Sequence, residues 1–155
     1  MKQYLLIVLC LVCLPLSQMH GQAQKNWKKG YFPSGIKKLQ LGMPFTKLVK
    51  KHPAAKAQSD GYSFRTVLVE ELNLGNLARI IYYVDNDGNR PVYETIFEYQ
   101  PNIDVKTIAT ELYGPPNKEG EWWFAHRKGP PVNIWVYQQK LVIAAHFPNT
   151  EWTDE

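Results

Sequence analysis

Few residues of this 155-residue chain are of types that do chemistry by themselves, and their spacing decides what chemistry is open to them. Beyond the first two dozen residues the histidines are His52, His126 and His146. His126 and His146 fall on different strand-like runs, in neither a helical His pair nor a Cys/His cluster, so no metal site is expected. His52 takes a core-facing slot on a short helix and reads as a packed or capping histidine. Both cysteines, Cys10 and Cys13, lie inside an N-terminal apolar run. Removing that run leaves no thiol, which excludes disulfides, thiol catalysis and Cys-ligated zinc together. Ser34, Ser59 and Ser63 lie in no G-x-S-x-G, and no phosphate-cradling or dinucleotide glycine pattern is present. Glu94 and Glu98 share a strand face, but four residues place them roughly 13 Å apart. A glycosidase pair works at about 5–9.5 Å. Glu70 and Glu71 are adjacent and point to opposite faces. Asp85-Asn86-Asp87-Gly88 lacks the acid spacing and the distal Glu of a calcium loop and reads as a turn. Neither catalytic residues nor a cofactor is expected, and the chain is not read as an enzyme.

Recognition chemistry is better supplied. The chain carries 5 Trp, 9 Tyr and 6 Phe, and Trp, Tyr and Arg are the side chains that dominate binding surfaces. The candidate partner-binding set is Trp122, Trp123, Arg127, Trp135 and Tyr137. Alternation along a strand requires one of Trp122 and Trp123 to be core and the other not, and the pattern leaves open which. The competing use of the same residues is to fill a core.

The elements that must position this set begin after a leader. Lys2 gives a positive start, Leu5 to Leu16 an apolar run broken by Pro15, and Gly21-Gln22-Ala23 a small-residue cleavage site before Gln24. The run is about a dozen residues, whereas a span needs roughly twenty. Residues 1–23 are therefore expected to be a cleaved signal peptide, with an uncleaved anchor as the alternative. The mature chain should be periplasmic or secreted and should not span a membrane. Leu9 and Val12 stand where a lipid-anchored protein needs a small residue, so no lipidation is expected. Charge is divided along the chain: nine Lys and no acid between 25 and 59, then four Lys, four Arg and 14 acids. The lysines from Lys25 to Lys56 read as a solvated face beside the protein's own acids, with weak contact to an anionic surface as the alternative. Lysines without clustered Arg, on an exported chain, argue against nucleic acid.

With 45% hydrophobic and 21% charged residues the chain is one globular domain rather than disordered or fibrous. Residues 24–40 form an irregular basic lead-in, and 41–155 the domain. Phe45, Leu48, Val49 and His52 mark one face of a helix opened by Pro44 and ended by Pro53; Val105, Ile108, Ala109 and Leu112 mark another, capped by Asp104 and stopped at Gly114. Strands are expected over 62–72, 77–84 and 92–99, with a hairpin turn at 85–90. Further strands are expected over 121–128, 132–138 and 140–147. An even loop would put Ile80, Tyr82 and Val84 on a core face with Tyr93, Phe97 and Tyr99. Ile134, Val136, Leu141 and Ile143 should share one face of the last hairpin, and Trp135 and Tyr137 should point away from it. The two helices align at a 60-residue offset. The expected fold is thus α+β, with tandem helix-plus-antiparallel-sheet units over 41–100 and 101–150.

The stretch Ile36-Lys37-Lys38-Leu39-Gln40-Leu41-Gly42-Met43, followed by Val49 and His52-Pro53, resembles the opening of the small BamE-like (SmpA/OmlA) envelope proteins. Leu112-Tyr113-Gly114-Pro115-Pro116 with Glu121-Trp122-Trp123 is similar in layout, and two such units resemble the architecture of β-lactamase inhibitory protein. The resemblance implies a non-enzymatic module that binds another envelope or extracellular protein by a sheet face. The chain lacks a lipobox cysteine, and no β-lactamase-contacting residue carries over. A small-molecule or glycan binder using the same Trp and Tyr residues in a groove is the other reading. Intact-mass measurement of the exported protein is expected to give a chain beginning at Gln24; a mass retaining Met1, or one carrying a lipid, contradicts the leader.

Overall fold

The computed structural model describes residues 26, 28–36 and 38–152. The leader expected over 1–23, and Lys25, Trp27 and Lys37 of the lead-in, lie outside the described residues. The elements run α1 (Phe45–Lys51), β1 (Lys56–Gln58), β2 (Arg65–Leu74), β3 (Leu77–Asp85), β4 (Val92–Tyr99), α2 (Val105–Tyr113), β5 (Trp122–Phe124), β6 (Val132–Tyr137) and β7 (Lys140–Ala145). Helix α2 starts where its sequence signals place it. The Asp104 carboxylate accepts from the Thr107 N–H at 3.1 Å and the Thr107 hydroxyl at 2.8 Å, and Gly114, at φ 81, ends the helix.

The strands form one seven-stranded sheet, antiparallel throughout, in the order β1-β2-β3-β4-β7-β6-β5. This overturns the α+β tandem of helix-plus-sheet units. The helices are only seven and nine residues long, and the strands of both halves merge where β4 pairs with β7 through Thr95↔Ile143, Ile96↔Val142 and Phe97↔Leu141. The physical reason lies in the edges. A three-stranded piece under a two-turn helix leaves an apolar face and an unpaired row of backbone groups, and both are satisfied when two such pieces share a ladder. Periodicity read separately in each half carries no information about that pairing. The short edge strand β1 escaped alternation because all three of its residues are exposed.

One face of the sheet holds the core. Ile80, Tyr82 and Val84 from β3 meet Phe97 and Val92 from β4, Leu141 and Ile143 from β7, Val132 and Ile134 from β6, and Trp122 from β5. Both helices join this cluster, through Leu48 from α1 and Val105, Ala109 and Tyr113 from α2. The irregular lead-in does too, through Tyr31 and Leu39, followed by Leu41 and Met43 before α1, and the Tyr113 hydroxyl donates to the Tyr31 carbonyl. Ile108 and Leu112, expected at the centre of the α2 face, are half-buried at its margin, because the helix rolls to bring Tyr113 against Trp122 at 5.8 Å between ring centres.

Tyr93 is a further correction. Tyr83 pairs with Glu94 but Val84 pairs with Val92, so β4 carries one extra residue at this point. Such a bulge turns the extra side chain away from strict alternation. Tyr93 leaves the core face and stands beside Tyr83 on the other, with ring centres 6.3 Å apart. Equilibrium unfolding should rank the helix positions: Leu48→Ala is expected to cost about 2–5 kcal/mol and Leu112→Ala clearly less, as cavity cost scales with burial. The reverse order contradicts the packing.

Candidate functional site

The opposite face of the sheet carries neither helix, and the register decides what it displays. β2 contributes Arg65, Val67, Val69 and Glu71; β3 contributes Arg79, Ile81 and Tyr83; β4 contributes Glu94, Ile96 and Glu98. β7 adds Lys140, Val142 and Ala144, β6 adds Asn133, Trp135 and Tyr137, and β5 adds Trp123. Of the sequence-predicted set, Trp123, Trp135 and Tyr137 are thus brought together. Tyr137 is 59% exposed, while Trp123 and Trp135 are half-buried. Trp122 is the core member of its pair, 0% exposed, with its indole N–H donated to the Gly114 carbonyl at 2.8 Å, and it is not available to a partner. Arg127 is exposed in the loop between β5 and β6.

At the far side of the same face, Arg65 sits among rings. Its guanidinium carbon lies 4.1 Å from the Tyr83 ring centre, 4.7 Å from Tyr62 and 5.3 Å from Phe64. A planar cation stacks on such faces with favourable quadrupole electrostatics. Tyr62 and Phe64, 58% and 43% exposed, extend the aromatic band beyond the sheet edge. Arg79, by contrast, is held by Glu98 through two hydrogen bonds at 2.9 and 3.1 Å.

Between these two aromatic groups the C-terminal segment folds back. The Glu151 carboxylate accepts from one Arg65 nitrogen at 2.8 and 2.9 Å and from the Tyr93 hydroxyl at 2.7 Å. The Trp152 indole donates to Glu94 at 2.9 Å and stacks edge-on against Trp135 at 5.3 Å between centres. His146 Nδ1, donating, holds the Trp152 carbonyl at 2.6 Å, and its ring packs against Trp123 at 4.8 Å. Glu94 is 3% exposed in consequence. Burial, and then the Glu151 charge, push its carboxyl up from an ordinary 4.5 to about 8, against the opposing pull of the Trp152 N–H and Arg65. Sequence reasoning put Glu94 on one strand face with Glu98 and did not single out Glu151 or Trp152. A Glu-Trp pair after the last strand was the only signal, and it has no periodicity to interpret.

A second polar cluster lies on the helix side. His52 Nδ1 is 2.9 Å from Glu70 Oε2, which also accepts from the Tyr82 hydroxyl at 2.5 Å. It joins the end of α1 to β2 and β3, which makes His52 a packed histidine with a partner that strand parity shows only once Leu68 is placed in the core. Lys28, Lys29, Lys38, Lys47, Lys50 and Lys56 are exposed, and Lys51 is half-buried. Among the described residues no three His, Cys, Asp or Glu cluster as metal ligands, and no helix is long and apolar enough to cross a membrane. Compared with family models, curated proteins and solved structures, the chain matches none.

Because the raised value belongs to the folded state, Glu94 keeps its proton in the fold at pH values where the unfolded chain has lost it. Its contribution to stability is complete below about 4.5 and is lost as pH climbs through about 8. Glu94→Gln keeps an acceptor for Trp152 without the charge. Thermal unfolding from about pH 5 to about pH 9 should therefore fall more steeply for the wild type than for Glu94→Gln, with the variant the more stable at the alkaline end. Parallel profiles contradict the buried carboxyl.

Proposed function

We propose that the chain is an exported, non-enzymatic module that binds another protein through the helix-free face of its sheet. One observation carries the reading. Trp123, Trp135 and Tyr137 stand together on that face while the helices and lead-in cover the other. A one-sided sheet normally displays polar residues to water. Here Trp123, Trp135, Tyr137 and several Val and Ile stand among Arg, Glu and Lys, with Tyr137 exposed and the two Trp half-buried, and Trp, Tyr and Arg are the side chains that dominate binding surfaces. The resemblance of residues 36–53 to the BamE-like group points the same way, toward binding rather than catalysis. Three clefts among the described residues, at Gly42, Asp87 and Phe147, at Pro33 and Leu112, and at Gln58 and Arg65, lie at the margins of the sheet and are not lined by Trp123, Trp135 or Tyr137.

Tyr137 separates recognition from folding, because it is the most exposed of the three. Tyr137→Ala should leave thermal unfolding within roughly 1 kcal/mol of the wild type. The same change should weaken retention of a partner from envelope extracts at least tenfold, the effect of about 1.4 kcal/mol at an interface anchor. A stable variant that retains the same partner equally well removes this function from the face.

A further inference from the structure

The Glu151-Trp152 pair meets a site built for it. The carboxylate finds a guanidinium and a phenol, and the Arg65 group is itself fixed between Asp60 and the Tyr83 ring. The indole finds a buried acceptor in Glu94, an edge-on ring in Trp135 and a carbonyl clamp in His146. None of this is backbone pairing. β7 ends at Ala145, and residues 148–152 belong to no strand or helix. After a turn in which buried Thr150 bonds the Phe147 carbonyl, the segment is held on the sheet by the Glu151 and Trp152 side chains and the Trp152 carbonyl, in the manner of a bound peptide. It also lies between the two aromatic groups of the face, where a partner would have to sit.

We propose that Arg65, Tyr93, Glu94, Trp135 and His146 form a recognition site for a partner segment carrying an acidic residue immediately before a tryptophan, and that the chain's own Glu151-Trp152 occupies this site until such a segment displaces it. The inference rests on the reading of this face as a binding surface and adds to it the chemistry of the occupant. Tethering explains how the site stays closed. A tail a few residues from its anchor acts at an effective concentration in the millimolar range, so a free segment competes only when it binds well or is itself tethered. Local release of a segment outside the strands and helices requires no global unfolding. Glu94 favours the closed form while neutral. The charged or titratable groups around it are Arg65 from β2, Tyr83 from β3, Tyr93 beside it, and Glu151 from the segment, with His146 after β7 holding the Trp152 carbonyl.

The test uses the full chain and an acetylated, amidated peptide of residues 147–152. The chain opened by Glu151→Gln with Trp152→Ala should bind the peptide at least tenfold more tightly than the wild type does. A peptide with its Trp replaced by Ala, or its Glu by Gln, should lose at least tenfold. An opened chain that is folded but ignores the peptide overturns the proposal. A wild-type chain that dimerises at the concentrations used places a second copy's segment in the site, and overturns the assignment to a separate partner. Should the opened variant not fold, the unaltered chain decides by hydrogen exchange at its indole N–H groups. Trp152 should exchange at least a hundredfold faster than Trp122, and equal rates would make the segment part of the cooperative core and overturn the proposal. Failure of peptide binding while Tyr137→Ala still abolishes partner retention would remove this site alone and leave the wider face intact.

Discussion

The ladder between β4 and β7 is the constraint on which the rest depends. It brings β7 to the middle of the sheet, beside a strand some fifty residues earlier, and joins the hairpin-linked strands of the two halves into one sheet. On one side it sets Thr95 and Phe97 against Ile143 and Leu141, which makes a single apolar floor wide enough for both short helices and the lead-in. On the other it sets Glu94, Ile96 and Glu98 against Ala144, Val142 and Lys140. Helices of seven and nine residues have little stability of their own and depend on that floor. With the helices and the lead-in committed to one face, the segment 148–152 is what lies across the other among the described residues.

The bulge at Tyr93 refines what that second face contains. One extra residue in β4 moves a Tyr from the core side to the open side and keeps the following Glu beside it. The displaced Tyr and the buried Glu then hold the two side chains of the returning segment. A charge left alone in such a place costs several kcal/mol, and the raised pKa of Glu94 is the way the fold avoids it. The same arrangement sets Arg65, Glu94 and Glu151 together on this face. Here Arg65, Tyr93, Glu94, Trp135 and His146 hold the returning segment through hydrogen bonds and ring contact, whereas the helix side is mainly apolar packing around the His52–Glu70–Tyr82 cluster.

What the sequence revealed follows the range of the forces involved. Val92–Tyr99 and the final hairpin were legible because apolar alternation is a local signal, and so was the direction of Trp135 and Tyr137 away from Ile134 and Val136. The Asp104 cap and Gly114 stop of α2 were legible for the same reason. The joining of the two halves was not, since β4 presents the same alternation whether it ends one sheet or continues another. Nor was the bulge, because Val92-Tyr93-Glu94 reads as ordinary strand until a partner sets the register. Of the candidate residues, alternation placed Trp123 and Trp122 on opposite faces without telling which was inside. The Tyr113 and Phe124 rings decide it. Glu151 and Trp152 were missed because their partners, Arg65, Tyr93 and Glu94, lie tens of residues away and belong to no pattern that includes them.

The claim that one shared ladder organises both faces is tested most directly by native-state hydrogen exchange resolved along the backbone. The account predicts that amides of 94–98 and 140–145 are the most protected in the chain. They should exchange together, through one opening whose free energy equals that of global unfolding. Exchange of residues 101–147 as a separate cooperative unit, at a free energy different from that of residues 56–99, would contradict it.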